Sequence, residues 1–393
     1  MKKSLLIMAG IVCFAFQLTS CKKELPRKSN AKVFNLEKFS KNIQSRIGGN
    51  SPQQSPEGYS FIVTMDGKIA DSFSFGNAYT NVAAGRIAWN TKQEINVASV
   101  TKTLTAVAVL QLLKKHDLKD GSLISRWIRG YVKAHDQIKN LEFYQLLTHS
   151  SGITASATDY ASLRQVMRSK LADPEKTPRQ YSNVNFAMFR IIIPYLIDSN
   201  VVKIKEAQFL PRDTTGFEKW LSATYINYMQ QNVFTPAGLG TVNCTPSANT
   251  AMAYSEPRGI GQYSESNGDW TETCAGGGFY MSVLEMSKWI VYLTYTNTLL
   301  DNDQRKMMDK QMMGWDPGES LMTIAGQAYG KDGALLWDSN KNGVSPDPGD
   351  AGLQTLLIKF PNKVELALAI NSIPGAYRNL GTIITSAYDM AWE

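Results

Sequence analysis

The chain has 393 residues, of which 43% are hydrophobic and 19% are charged, with 3 His and 4 Cys. This composition is typical of a globular protein long enough for two domains. The three His are scattered, and no two Cys have the C-x-x-C spacing of common zinc sites. The formal charge of +7 is modest for this length. A zinc hydrolase and a nucleic-acid-binding protein are therefore not expected.

The first twenty residues have the layout of a secretory signal. Two lysines precede an apolar stretch over residues 5–16, which is too short to span a bilayer. The segment 18–21 (LTSC) resembles the lipobox at which bacterial lipoproteins are cleaved and lipidated on the cysteine. We therefore expect residues 1–20 to be removed and Cys21 to carry a lipid that anchors the chain in the bacterial envelope. The alternative is an ordinary signal peptide with a cysteine at its cleavage site.

The segment after the signal is polar and basic. Removal of residues 1–20 lowers the formal charge from +7 to +5, because two lysines and no acid leave with them. Residues 21–45 are expected to form a solvated tether. One further Cys lies in the signal, so only Cys244 and Cys274 remain as thiols once Cys21 is lipidated. In an oxidising compartment these two either form a disulfide or stay as two separate buried thiols.

In chain order, the hydrophobic pattern predicts strands at both ends and helices between them. Residues 59–63 and 69–75 alternate on either side of Asp66-Gly67, which is a strong hairpin signal. An apolar run over 101–114, without Gly or Pro, predicts a buried helix. Further candidate helices are 185–196, 217–229 and about 376–392. Candidate strands near the C-terminus are 333–337, 353–360 and 364–370.

These elements predict an α/β (α+β) fold. Its antiparallel sheet would be built from both termini and flanked by helices, with a mostly helical domain inserted between them. The predicted domain covers residues 46–393. Within it, residues 46–115 and about 321–393 would form the α/β part, and residues about 116–320 the helical part.

A serine and a lysine three residues apart stand at the entrance of the apolar helix. Ser99 and Lys102 would share one helical face, where the hydroxyl and the amine can exchange a proton. The N–H groups of a first helical turn also favour a nearby oxyanion. The same spacing occurs at Ser29 and Lys32, but that copy lies in the tether with no helix after it. The context therefore favours Ser99.

A tyrosine with an asparagine two residues later would be the second element of such a site. Tyr181 and Asn183 follow a proline and precede an apolar helix, so their loop is able to face a cleft. The same spacing occurs at three other tyrosines, Tyr79, Tyr225 and Tyr295. Position and surroundings favour Tyr181.

Taken in order, these motifs resemble the serine beta-lactamase-related family, which includes class C beta-lactamases, D-alanyl-D-alanine carboxypeptidases and several esterases. Residues 146–153 (LLTHSSGI) closely match the family stretch LLTHTSGL, and residues 275–279 (AGGGF) are similar to its glycine-rich turn. The resemblance covers about residues 45–393. It implies a beta-lactamase/transpeptidase-like fold, and we expect no metal or organic cofactor.

The resemblance also implies a role for each motif residue. Ser99 would be the acylated nucleophile, and Lys102 would keep the local proton balance and lower the effective pKa of the hydroxyl. Tyr181 would be the general base, and Asn183 would bind the substrate carbonyl. Which of the lysine and the tyrosine takes the proton first is disputed for such sites. A Ser-His-Asp triad would have to use His149, which we interpret as structural because it belongs to the family stretch.

The third motif departs from the family pattern. The family supplies Lys-Thr-Gly or His-x-Gly on the strand that edges the site, and the corresponding place reads PDPGDAG over residues 346–352. With Gly349 as the motif glycine and a substrate-binding residue, Asp347 stands where a cation or imidazole is expected. A carboxylate there would repel the carboxylate of beta-lactams and D-alanyl peptides. Efficient beta-lactamase activity is therefore not expected.

The sequence thus predicts an envelope-anchored serine hydrolase that acts through an acyl-enzyme on ester or amide substrates, D-amino-acid peptides among them. Its partners would be a small-molecule or peptide acyl substrate and the membrane that holds its lipid, either in the periplasm or at the cell surface. No nucleic-acid or metal partner is expected. The alternative is a catalytically weak or inactive binding protein that keeps the fold, with the altered third motif as its sign.

Overall fold

The computed structural model describes residues 32–49, 55–81, 85–128, 130–171, 178–255, 262–263, 268–337, 350–373 and 378–393. The chain divides into two compact units, Met1–Val33 and Phe34–Glu393. Only residues 32 and 33 of the first unit are described, and all described helices and strands belong to the second. The predicted signal peptide, Cys21, Asp347 and Gly349 lie outside the described residues.

The described helices and strands follow one another in a mixed order. The α-helices are α1 (Leu36–Gly48), α2 (Thr101–Lys115), α3 (Asp136–Lys139), α4 (Phe143–Leu147), α5 (Tyr160–Arg168), α6 (Asn183–Ala187), α7 (Phe189–Phe209), α8 (Thr214–Met229), α9 (Cys274–Gly277), α10 (Val283–Tyr295), α11 (Asn302–Lys310) and α12 (Leu380–Asp389). The strands are β1 (Gly58–Met65), β2 (Lys68–Asn81), β3 (Gly85–Ala88), β4 (Glu94–Asn96), β5 (Ala253–Ser255), β6 (Gln262–Tyr263), β7 (Tyr280–Ser282), β8 (Met322–Thr323), β9 (Gly326–Gln327), β10 (Tyr329–Trp337), β11 (Ala351–Lys359) and β12 (Val364–Ile370).

The predicted N-terminal hairpin is confirmed. β1 and β2 pair in antiparallel fashion around Asp66 and Gly67, whose φ angles are 51° and 76°. Two consecutive positive φ values are what a two-residue hairpin turn requires, and an Asp-Gly pair adopts them at low cost. The hairpin thus follows from local turn chemistry.

The main sheet has eight strands in the order β3-β2-β1-β12-β11-β5-β6, with β10 paired to β11. β1 is antiparallel to β12, and β12 is antiparallel to β11, so strands from both ends of the domain meet at the centre. These three strands are buried along almost their whole length. Helices cover both faces of the sheet centre, which explains the continuous apolar runs in its sequence.

Two hydrophobic cores lie on the two faces of the sheet. One is formed by α1 and α12 on the sheet face that carries Tyr59, Phe61 and Val63 of β1. The larger one includes Ile62 from the opposite face of β1 and packs around α2. The alternation along β1 therefore sends successive side chains into different cores, as a strand period of two requires. The predicted α/β architecture is confirmed.

The predicted tether boundary at residue 45 is wrong, because the folded domain begins before it. α1 starts at Leu36, and the side chain of Asn35 caps it by accepting a hydrogen bond from the Lys38 N–H at 2.9 Å. Phe39 and Ile43 are fully buried against the sheet and α12. Each such side chain contributes about 1.5–3 kcal/mol when fully buried, so this segment is part of the core.

The middle of the chain is mostly helical, as predicted, but it also adds to the sheet. β5 pairs with β11 through Ala351 and Gly352, and β6 extends β5. α10 packs on β12 and β1. The sheet is therefore not built from the termini alone. Within the described part of the chain, no helix combines the length and apolar character needed to cross a bilayer.

Candidate active site

Ser99 lies in a 3-10 turn, Ala98–Val100, that leads directly into the buried helix α2. Ala98 has a φ of 48°, in the left-handed region that non-glycine residues rarely adopt. Its N–H donates to the Asn96 Oδ1 at 2.8 Å, and the Thr355 hydroxyl donates to the Val97 carbonyl at 2.8 Å. These contacts from β4 and β11 hold a strained turn in place, which is a common property of functional sites.

Lys102 follows one helical turn later and is completely buried. Its Nζ donates to the Ser99 Oγ at 2.9 Å, to the Asn183 Oδ1 at 2.8 Å and to the Gly276 carbonyl at 2.6 Å. Burial disfavours the charged ammonium and lowers the pKa of Lys102. The amine is therefore oriented toward the serine, and its ammonium form releases a proton more readily than that of an exposed lysine.

Tyr181 approaches the serine from the loop before α6. Its hydroxyl lies 2.6 Å from the Ser99 Oγ. Desolvation alone would raise the pKa of this phenol, but the ammonium groups of Lys102 and Lys331 outweigh it and lower the pKa of Tyr181. The ring lies 5.0 Å from the Lys102 Nζ and 5.4 Å from the Lys331 Nζ. The phenol next to the serine is thus a stronger acid than that of an ordinary tyrosine.

His149 packs against the tyrosine ring, with ring centroids 4.4 Å apart. Its Nδ1 accepts hydrogen bonds from the Ser182 N–H at 3.3 Å and from the Asn185 Nδ2 at 3.1 Å. Desolvation, together with repulsion from nearby cations, lowers the pKa of His149 to about 2. The imidazole is therefore neutral, and it supports the backbone next to Tyr181. This matches the interpretation of His149 as structural.

The strand that edges the site is β10, and it carries Lys331, Asp332 and Gly333. A Cβ added to Gly333 would lie 2.3 Å from the Val97 carbonyl oxygen and 3.0 Å from the Ala98 Cβ. Only glycine therefore lets this strand pack so closely on the turn that carries Ser99. The segment has the K-x-G pattern of the family's third motif, with aspartate in place of threonine.

The expected lack of a cation at this motif is wrong, because Lys331 lines the cleft beside Ser99. The expectation rested on Asp347 and Gly349, which lie outside the described residues. A signal was present in the sequence: the K-x-G pattern stands at the beginning of the candidate strand 333–337, which the structure extends back to Tyr329. Three site residues, Lys331, Asp332 and Gly333, were thus missed in the sequence analysis.

Lys331 is held by two carboxylates. Its Nζ lies 2.6 Å from the Asp332 Oδ1 and 3.5 Å from the Asp316 Oδ2, and Arg179 binds the same Asp316 oxygen at 3.1 Å. Burial opposes the charge on Lys331, but Tyr181 and these carboxylates outweigh it and raise its pKa. Desolvation also acts on Asp316, but Lys331 and Arg179 lower its pKa. Lys331 is therefore a permanent cation at this site.

The side chains surround a cleft of about 550 Å³. Its lining includes the predicted residues Ser99, Tyr181 and Asn183, and also Asp316, Glu319, Lys331, Asp332, Ala334, Gln354, Arg378 and Asn379. Lys102 lies beneath this lining and contacts Ser99 and Asn183. The structure thus brings together all four residues of the two predicted motifs. Among the described residues, no group of three or more His, Cys, Asp or Glu is arranged to hold a metal ion.

Cys244 and Cys274 form a disulfide with their Cα atoms 5.8 Å apart. Of the two alternatives left open by the sequence, the structure has the bonded pair. Cys274 is the first residue of α9, and the Gly276 carbonyl in the same short helix accepts from Lys102. The disulfide therefore fixes an element that contacts the catalytic candidates.

Comparison with known proteins finds a matching family model for part of the chain and a shared fold. Residues 39–195 match the family model described as Beta-lactamase. No curated protein is significantly similar to the chain. The octameric penicillin-binding protein homologue from Pyrococcus abyssi superposes with a TM-score of 0.61 at 17% identity, covering 90% of this chain and 76% of that one.

Two other solved structures share the fold. The beta-lactamase/D-alanine carboxypeptidase from Yersinia pestis has a TM-score of 0.61 at 12% identity, covering 90% of this chain and 97% of that one. A D-stereospecific amidohydrolase from Streptomyces sp. has a TM-score of 0.59 at 16% identity, covering 90% and 98%. Residues 39–195 therefore match the beta-lactamase family model, and the chain as a whole has the beta-lactamase/transpeptidase-like fold.

Proposed function

We propose that this protein is a serine hydrolase that cleaves ester or amide substrates through an acyl-enzyme on Ser99. One observation carries the proposal. The Ser99 Oγ lies within hydrogen-bond distance of two groups with lowered pKa values, the Lys102 Nζ at 2.9 Å and the Tyr181 hydroxyl at 2.6 Å. Such an arrangement activates a hydroxyl that is unreactive at its ordinary pKa.

Acylation would begin when the Ser99 Oγ attacks the substrate carbonyl carbon and its proton passes to the Tyr181 phenolate. The bond from that carbon to the leaving nitrogen or oxygen then breaks, and Tyr181 returns the proton to the leaving group. Lys102 stabilises the phenolate and holds Asn183 in place for the substrate carbonyl. The negative charge on the carbonyl oxygen would develop beside the N–H groups of the first helical turn, at Ser99.

Deacylation would reverse these roles with water. A water molecule gives a proton to Tyr181 while its oxygen attacks the acyl carbon, and the bond to the Ser99 Oγ breaks. Tyr181 then returns the proton to Ser99, which restores the free enzyme. No step requires a group beyond the chain, the substrate and water.

The substrate class is also part of the proposal. The fold is shared with a D-stereospecific amidohydrolase and with a beta-lactamase/D-alanine carboxypeptidase, which supports D-amino-acid amides and peptides as candidates. Asp332 stands next to Lys331 in the cleft, so a substrate carboxylate would meet a negative charge there. Efficient hydrolysis of beta-lactams is therefore not part of the proposed activity.

We also propose that the mature chain is anchored to an envelope membrane through a lipid on Cys21. The lipobox-like segment 18–21 supports this assignment. The intact mass of chain extracted from membranes tests it, since loss of residues 1–20 and addition of lipid change the mass by defined amounts. A chain that retains residues 1–20 or carries an unmodified Cys21 would overturn it.

The main argument for the alternative, a non-catalytic binding protein, no longer holds. It rested on the absence of a cation from the third motif, and Lys331 supplies that cation. The two functions differ in one measurable respect, because only an enzyme of this class gains the mass of an acyl group on Ser99.

Intact-mass measurement tests the proposed function directly. The folded chain is treated with a fluorophosphonate, a penicillin and a panel of ester and amide donors. We expect one adduct per chain on Ser99, loss of the adduct in Ser99→Ala, and no loss in Ser29→Ala, the control from the other S-x-x-K segment. If folded wild-type chain shows neither adduct nor turnover with any donor, the proposal is wrong.

A further inference from the structure

The ion pair between Lys331 and Asp332 presents its negative partner to the cleft. Both residues line the cleft, and their charged atoms are 2.6 Å apart. The Lys331 side chain is only 3% exposed, whereas that of Asp332 is 32% exposed. A substrate entering the cleft therefore meets the carboxylate of Asp332 more readily than the ammonium of Lys331.

The ammonium of Lys331 is already engaged on its other sides. Asp316 lies 3.5 Å from its Nζ, and the Tyr181 ring centroid lies 5.4 Å away. A cation in this position favours the phenolate of Tyr181. Lys331 thus stabilises the ionised form of Tyr181. Carboxylates of the protein already neutralise the charge of Lys331 before a substrate binds.

Glu319 is a second, independent indication of a positively charged ligand. It lines the same cleft and is 7% exposed, and its Oε2 has no hydrogen-bond partner. A buried carboxyl oxygen without a donor costs free energy that an incoming N–H group would recover. Burial, together with repulsion from Asp332, raises the pKa of Glu319 to about 8, so a cation bound beside the two acids would favour the ionised form of Glu319.

The two arginines near the cleft are bound to other groups. Arg179 binds Asp316 at 3.1 Å. The Nη1 of Arg378 donates to the Ile47 carbonyl at 2.7 Å, in the last turn of α1, where the helix dipole adds negative charge. Neither contact involves Asp332 or Glu319.

We propose that the cleft selects acyl donors that carry an ammonium group, which binds at Asp332 and Glu319, over donors that carry a carboxylate. This inference rests on the proposed function, because it names the substrate class of the same serine. D-Amino-acid amides with a free amino group and esters of cationic alcohols are members of this class.

Two matched substrate series test the proposal on the wild-type chain. In the first, the p-nitroanilides of D-alanine, N-acetyl-D-alanine and N-succinyl-D-alanine place a cation, no charge or an anion on the acyl side. In the second, N-acetyl-D-alanyl esters of choline, glycolamide and glycolate place the same charges on the leaving group. We expect kcat/KM for the cationic member to exceed that for the anionic member by about tenfold or more in at least one series.

Asp332→Asn keeps the shape of the side chain and removes its charge. In the series that shows the preference, we expect this variant to lose about tenfold for the cationic donor and to gain for the anionic donor. Asp303→Asn, which removes an exposed carboxylate on α11 outside the cleft, is the control and should keep the wild-type preference. Opposite changes for the two charges are a signature that general loss of structure would not produce.

The outcomes separate the two proposals. If the wild-type chain forms an adduct on Ser99 with a fluorophosphonate but turns over cationic and anionic donors equally, or prefers anionic ones, the charge selection is wrong and the hydrolase proposal stands. If Ser99 forms no adduct with any reagent, the hydrolase proposal itself fails. The wild-type comparison remains decisive even if Asp332→Asn does not fold.

Discussion

Lys102 is enclosed by oxygen acceptors at the base of the cleft, and this environment defines its chemistry. Its Nζ donates to a hydroxyl, an amide oxygen and a backbone carbonyl, with no carboxylate among these three acceptors. A buried ammonium without a direct carboxylate partner loses more solvation than it gains, so its pKa falls. The residue is therefore suited to exchange protons with Ser99 and Tyr181.

Lys102→Met tests this role while preserving much of the buried volume. We expect acylation by a fluorophosphonate to slow by about a hundredfold to ten-thousandfold, the usual contribution of a positioned acid or base. Lys115→Met, at the exposed end of the same helix, is the matched control. Stopped-flow or intact-mass time courses measure the rate. Equal rates for the two variants would remove Lys102 from the mechanism.

At the scale of elements, the sequence predicted those helices and turns whose conformation depends mainly on neighbouring residues. Adjacent residues determine the conformation of the Asp66-Gly67 turn and of the apolar helix α2. Both were predicted close to the observed bounds. α1 was missed although Leu36, Phe39 and Ile43 recur at helical spacing, because most of its other residues are polar. Its stability comes from tertiary burial, which composition does not reveal.

The third motif shows a second limit of sequence reading. Which strand lies beside Ser99 depends on long-range packing of β10, through Gly333, against the turn that carries Ser99. The candidate at Gly349 was chosen by its position just before an apolar strand, whereas the observed edge strand precedes that one in the chain. The Ser99, Lys102 and Tyr181 grouping was predictable because the resemblance fixed their order, but the partners of Lys331 were not.

The disulfide holds α9 next to the site. Its removal is expected to lower both the free energy of unfolding and the rate of acylation. Replacing Cys244 and Cys274 together with alanine should lower the free energy of unfolding by about 2–4 kcal/mol. Acylation should also slow by about tenfold or more, because α9 positions the Gly276 carbonyl that holds Lys102. Urea unfolding and acylation time courses measure the two effects.

Reduction of the wild-type disulfide is the control for this pair of substitutions. A reductant should reproduce the loss of stability in the wild-type chain and leave the double variant unchanged. An unfolding midpoint that is insensitive both to the reductant and to the substitutions would show that the cross-link does not stabilise the fold.

On the scale of the whole molecule, the cleft is assembled from distant parts of the chain. Ser99 comes from the turn before α2, Tyr181 from the helical region, and Lys331 from the edge of the sheet. Glu319 joins this group to the C-terminal helix, because it lies against Gly381 in the first turn of α12. A Cβ on Gly381 would lie 2.2 Å from the Glu319 Oε2, so α12 approaches this acid through a glycine.

The buried acid makes the stability of the whole fold depend on pH. Desolvation, with repulsion from Asp332, raises the pKa of Glu319 to about 8, whereas an unfolded chain would have the ordinary value near 4.5. Between these two values the folded state binds more protons than the unfolded state, so the free energy of unfolding falls as pH rises from about 4.5 to 8. Above about pH 8 the loss is complete, because the carboxyl group is then ionised in both states.

Glu319→Gln mimics the protonated acid at every pH and should remove this dependence. Relative to the variant, the wild-type chain should lose about 2 kcal/mol or more between pH 5 and pH 8.5, since each unit of pKa shift corresponds to about 1.4 kcal/mol. Glu37→Gln, at an exposed position on α1, is the control and should follow the wild-type curve. Asp332→Asn should move the wild-type decline to lower pH, because it removes part of the repulsion. Urea unfolding at a series of pH values measures these differences, and parallel curves for the wild type and Glu319→Gln would show that Glu319 is not a buried neutral acid.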